Sequence, residues 1–141
     1  VSKENLIKAK LDNLIKLLLI KGIQPSELAD NIFLSDYKSI TFGKQNGYVV
    51  GELIFEEEIS GIQTDVKLKY FYNEKTIYRI EEEIFEKTTI LWDREQKESD
   101  LVIEIVQLLK QHFTLRNVSQ FISSLPKELA IKVEKEYERT A

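Results

Sequence analysis

The chain contains no cysteine, no methionine, one histidine (His112), two prolines and five glycines. Without cysteine there is no disulfide, thiol nucleophile, zinc–thiolate site or iron–sulfur cluster. One histidine excludes a multi-histidine metal site. With no nucleophile beside it, His112 is a poor general base, and near the end of a helix its charged form favours the dipole. The glycines (Gly22, Gly43, Gly47, Gly51 and Gly61) are scattered at turn-like positions. No phosphate-cradling loop, nucleophile elbow or H-E-x-x-H motif occurs. Of the groups that usually carry catalysis at neutral pH, only carboxylates are plentiful. No catalytic residue, metal site or cofactor is therefore assigned, and an enzymatic reading rests on abundant carboxylates alone.

Long apolar runs are also missing. The longest early one, Leu17 to Ile20, is too short for a secretory leader or a membrane span, so the expectation is a cytoplasmic protein away from membranes. An excess of base is absent too. Lys and Arg number 20 against 24 Asp and Glu, for a formal charge of −4. That balance argues against nucleic acid or an anionic lipid as partner. Lysine far outnumbers arginine and isoleucine is abundant, which fits an AT-rich, bacterial coding background.

What is present suits a globular domain: 141 residues, 43% hydrophobic and 31% charged. The expected fold is α+β, one domain over 1–141. An antiparallel meander of four to five strands (about 39–92) is packed by an N-terminal helix and C-terminal helices.

Residues 3–21 carry Ile7, Leu11, Leu14 and Leu18 at helical spacing, with Ser2 as cap and Gly22 as terminator. Pro25 starts a short helix, and the stretch 21–30 invites comparison with the start of a helix-turn-helix. The β-prone Ser39-Ile40-Thr41-Phe42 argues against the second helix. Asn46-Gly47 is the strongest hairpin signal in the chain. It pairs Ile40 with Leu53 and lays Phe42 across the bare Gly51. Ser60-Gly61 turns next and pairs Leu53 with Leu68 and Val49 with Tyr72. A three-residue loop at 74–76 would then pair Tyr72 with Tyr78 and Tyr70 with Ile80. The stretch 77–92 contains no Gly, Pro or Asn, so it reads as one long strand with a bulge near Glu82 in preference to two strands joined near Glu81-Glu82-Glu83. Asp93 caps a helix to about His112 that is apolar nearly all round at 101–109. Sheet on one side and helices on the other would cover it. Asn117 caps a short helix, and Pro126 starts a last one with Leu129, Val133 and Tyr137 inward.

The charge is uneven. Residues 1–24 carry five bases and two acids, whereas residues 48–93 carry eleven acids and five bases. The register places Glu52 and Glu81 opposite Lys69, Glu83 opposite Lys67, and Glu56 diagonal to Lys67. Cross-strand ion pairing accounts for much of this pattern. The same face carries Val50, Ile54, Phe71, Ile77 and Phe85, which either lie under a C-terminal helix or form an apolar patch rimmed by charge, the mark of an interaction site.

The leading expectation is a small protein-interaction module of adaptor, chaperone-like or inhibitor/immunity type. It would present that acidic face to another protein, with Phe71 and Phe85 as anchors and Glu52, Glu56, Glu81 and Glu83 as rim. The alternative is a small-molecule binder with Tyr70, Tyr72 and Tyr78 lining a pocket between sheet and helices, although core packing with hydroxyls reaching the edge suits these tyrosines better. Surplus apolar surface on the helices points to a homodimer through them.

Overall fold

The helical spacing at the start of the chain produces α1, Lys3–Leu19, in a computed structural model that describes residues 2–140. Ser2 does cap it: the Asn5 amide donates to Ser2 Oγ at 3.2 Å. The helix stops at Leu19, three residues before the glycine expected to end it. Contacts divide the chain into two compact units. The first joins α1 to three C-terminal helices, α3 (Arg94–His112), α4 (Leu115–Ser123) and α5 (Lys127–Arg139). Their inward stripes meet in one core. Ile7 and Leu14 of α1 pack with Val102, Ile105, Val106 and Leu109 of α3, with Val118 of α4, and with Leu129 and Val133 of α5. Lys10 bridges Glu104 at 2.9 Å, and Lys132 bridges Glu98 at 2.9 Å. The cap of α4 is Thr114, whose hydroxyl accepts from the Asn117 amide, and not Asn117 as expected. Both side chains suit a cap, and composition alone does not separate them.

The second unit, Ile20–Arg94, holds the sheet. A short helix α2 (Pro25–Ala29) and a 3-10 turn (Asp30–Phe33) lead into five antiparallel strands. These are β1 (Tyr37–Gln45), β2 (Tyr48–Ile59), β3 (Ile62–Asn73), β4 (Thr76–Ile84) and β5 (Lys87–Asp93). They neighbour one another in sequence order, and the fold class is α+β. The strand at 37–45 occupies the place a second DNA-reading helix would need, which removes the helix-turn-helix comparison.

The first two hairpins follow the sequence register. Phe42 pairs Gly51 and Ile40 pairs Leu53, then Leu53 pairs Leu68 and Val49 pairs Tyr72. A Cβ on Gly51 would sit 2.8 Å from the Phe42 ring, so the aromatic does cover the bare position. On the core face Leu28 of α2 is buried with Leu53, Tyr72 and Ile77.

The third hairpin departs from expectation. Its loop has two residues, Glu74-Lys75, so Asn73 pairs Thr76 and Tyr72 pairs Ile77 rather than Tyr78. A bulge then restores Tyr70 opposite Ile80, as expected. Ile77 thereby turns into the core, and Tyr78 turns out to the face that was assigned to Ile77. The extra residue of a bulge swaps sides for everything on one flank of it.

The stretch 77–92 is two strands, not one. The turn is Phe85-Glu86, with both residues at positive φ (50° and 63°). A type I′ turn needs that conformation, and its usual residues are Asn and Gly. Neither is present, so residues 85–86 carry no turn signal of their own. Glu82 is not carried out of the core face by a bulge. It pairs Leu68 and Thr89 and stays half-buried there.

Candidate functional site

In an up-and-down meander alternate turns lie at opposite ends. Asn46-Gly47 and Glu74-Lys75 share one end of the sheet, and Ser60-Gly61 and Phe85-Glu86 share the other.

The first end is fastened by residues 20–24. The Ile77 amide donates to the Lys21 carbonyl at 2.8 Å. Gln24 Nε2 donates to the Lys75 carbonyl, and the Tyr72 hydroxyl to the Ile23 carbonyl at 2.5 Å. Arg94 donates to the carbonyls of Ile20 and Ile77 while its guanidinium lies over the Trp92 ring. Gly22, at φ 81°, is the closest approach. A Cβ there would come within 2.1 Å of Ile77 Cγ2. Burial pushes the Tyr72 hydroxyl up to about 12, with Tyr70 and Glu27 adding to the shift.

The tyrosines expected to line a pocket are not together. Tyr70 and Tyr72 share the core face, where Tyr72 is 1% exposed. Tyr78 is on the opposite face, stacked at a tilt between Tyr48 (5.0 Å) and Phe71 (5.9 Å). Burial also raises the Tyr70 and Tyr78 hydroxyls from their ordinary value.

The four glutamates expected to rim a partner site are held by cations. Lys67 lies between Glu52 at 3.8 Å and Glu83 at 3.5 Å. Glu81 pairs with Arg79 at 3.3 Å, and Arg79 also holds Asp93 at 2.9 Å. Glu56 shares Lys38 with Asp65 at 2.9 and 2.8 Å, and the two carboxylates raise the Lys38 pKa, Asp65 most strongly. Lys67, not Lys69, bridges the strands. Partly exposed pairs of this kind contribute about 0–1 kcal/mol each, and they cancel most of the charge of the central face.

The expected anchors are also apart. Phe71 pairs Arg79 and is half-buried in its aromatic cluster. Phe85 lies level with Asp65, six strand positions away, which is roughly 20 Å.

At the second end the structure brings two of the expected site residues, Glu56 and Phe85, together with Lys38, Ile62, Gln63, Thr64 and Asp65, which the sequence did not single out. The β3–β4 ladder stops at Lys67 with Glu83, whereas β2 and β3 stay paired out to Ile59 with Ile62. The β2–β3 hairpin thus overhangs the β4–β5 turn by about 10 Å. Ile62 is 60% and Phe85 67% exposed. With Lys38, Glu56, Gln63, Thr64 and Asp65 they line an open depression of about 490 Å³. Among the described residues, Glu57, Glu58 and Glu86 on this end form no ion pair. A signal for the arm was present: Glu56-Glu57-Glu58 breaks the in–out alternation. A strand acidic on both faces has left the core.

Among the described residues no cluster of three or more acids and histidines could hold a metal, and no helix is long and apolar enough to cross a membrane. Comparison with protein-family models, curated proteins and solved structures finds no match to this chain.

Proposed function

We propose that the protein is a small interaction module whose contact surface for a basic protein partner is the overhanging end of its sheet. One observation carries this reading. Phe85 is a bulky side chain held at positive φ, two-thirds exposed, beside exposed Ile62 and the unpaired Glu57, Glu58 and Glu86. A non-glycine residue in that backbone region costs about 1–2 kcal/mol, and here little burial offsets the cost. Strain that packing does not explain concentrates at functional positions. An aromatic anchor within an acidic rim suits a partner of opposite charge, with charge steering the encounter and the ring supplying affinity. At this end Glu56 and Asp65 share Lys38, while Glu57, Glu58 and Glu86 stay uncompensated among the described residues.

The test is affinity capture with the wild-type chain and with a folded Phe85→Ala/Ile62→Ala double variant. The expected result is a basic protein retained by the wild type, eluted by moderate salt, and lost from the variant. Equal recovery by both would sink the reading.

A further inference from the structure

The overhang leaves one side of β3 without a strand beside it. Ser60 and Gly61 both have positive φ (53° and 79°), and Ile59 pairs Ile62 across them. In a two-residue hairpin of this kind the flanking pair exchanges its hydrogen bonds inward. In an antiparallel strand the direction alternates residue by residue. Ile62, Thr64 and Val66 therefore turn their amides and carbonyls toward β2, and Gln63 and Asp65 turn theirs toward the lane of β4. Lys67, next in this series, finds Glu83 there. Gln63 and Asp65 do not, because the chain leaves the lane at Phe85.

We infer that the arm binds its partner by strand addition: an extended segment of alternating basic and apolar residues continues the lane of β4 beyond Phe85, which stands level with Asp65, and pairs with Gln63 of β3. The alternation follows from the two faces of the arm. On one face lie Glu56, Glu58, Gln63 and Asp65, with Lys38 the only base among them. On the other lie Ile59, Ile62 and the buried Thr64, together with Glu57. Residues directly opposite in an antiparallel pair share a face. The partner residue opposite Gln63, and those two positions on along the same frame, are therefore the basic ones, and they are also the ones whose amides point at β3. Their neighbours are apolar and lie beside Ile62. Phe85 stands at the mouth of the depression and closes one end of the added strand. This inference rests on the proposed interaction surface and specifies how that surface is used.

The test uses an N-acetylated fluorescent octapeptide alternating lysine and valine, titrated against the full chain and followed by anisotropy. Two further peptides carry backbone N-methyl groups on the lysines only or on the valines only. N-methylation of the lysines is expected to weaken binding at least about tenfold, since it removes amide hydrogen bonds to β3. N-methylation of the valines, whose amides face away, changes it less than about twofold. A glutamate–valine peptide should not bind. On the protein side, Gln63→Pro deletes an outward amide while sparing the β2 ladder, and a folded variant should lose binding by a similar factor. The N-methyl comparison stands if that variant does not fold. Equal weakening in both N-methyl frames, or none in either, overturns strand addition. If binding still falls with Phe85→Ala in that case, the interaction surface survives without this mode. No binding of the parent peptide overturns the strand-addition inference, and the capture experiment decides the surface separately.

Discussion

At one end of the sheet the backbone of residues 20–24 is clamped to β3, β4 and Arg94 by hydrogen bonds from Ile77, Tyr72, Gln24 and Arg94. At the other end the β2–β3 arm runs past its neighbour and shows Ile62 and Phe85 to solvent. Both ends contain residues at positive φ, but for different reasons. Gly22 adopts it so that the backbone can lie against Ile77, and no side chain fits there. Phe85 and Glu86 adopt it at an exposed turn, where little of either side chain is buried. The first conformation serves stability. The second is a cost that the rest of the sheet carries, and it is found where an aromatic side chain is displayed.

The strongest way to break this comparison is to add one methyl group at each end. Gly22→Ala places a Cβ in the space of Ile77 Cγ2 and forces an unfavourable backbone. The expected loss is about 3 kcal/mol or more, combining overpacking with the left-handed penalty. Gly61→Ala has a similar φ of 79° but meets nothing within 4 Å, so it should cost only about 1 kcal/mol. Urea unfolding of the two variants reads the difference. Equal losses would mean that residues 20–24 are not a tight clamp.

How far these ends were legible depends on what kind of signal each carries. Asn46-Gly47 and Ser60-Gly61 name their turns chemically, so two hairpins and their registers could be read directly. Gly22 was visible but its purpose was not. It looked like a helix terminator, because its real partner, Ile77, is far away in sequence. The bulge at Tyr78 and the Phe85-Glu86 turn had no signal of their own, since each goes against local preference. These two features put Ile77 in the core, separate Tyr78 from Tyr70 and Tyr72, and make Phe85 a turn tip rather than a strand residue. The pairing of Glu83 with Lys67 was readable because it follows from register, whereas Glu52 and Glu81 lie opposite Lys69 as read but pair with Lys67 and Arg79 instead. The candidate anchors Phe71 and Phe85 were individually visible, but their separation depends on where β4 ends.

A medium-sized effect tests the clamp through pH. The Tyr72 hydroxyl titrates near 12 in the folded chain, against about 10 in the unfolded one. Its folded pKa is raised, so the stabilisation is complete below pH 10, where both states hold the proton. Above that, the unfolded state releases its proton first, and stability falls as pH rises from about 10 to 12 by about 2 kcal/mol. Tyr72→Phe should remove this alkaline step. It should also lower stability at neutral pH by about 1–2 kcal/mol, because the Ile23 carbonyl loses its donor. A step that persists in Tyr72→Phe would assign it to another group, Tyr70 being the first to examine.

The smallest expected effect has the opposite sign and bears on the exposed end. Glu86 occupies the second position of a turn that glycine adopts without steric cost, and Glu86→Gly should raise stability by about 1 kcal/mol. Phe85→Asn should also stabilise, by a somewhat smaller amount, because a ring that is 67% exposed gives up little burial. The two variants then part company. Glu86→Gly keeps the ring and should retain partner binding, with some loss of charge steering. Phe85→Asn gains stability and loses the anchor. Thermal unfolding alongside the anisotropy titration separates them. A Phe85→Asn variant that is less stable than wild type would show that Phe85 belongs to the packing of this end after all. Its backbone strain would then be a by-product of structure rather than a mark of function.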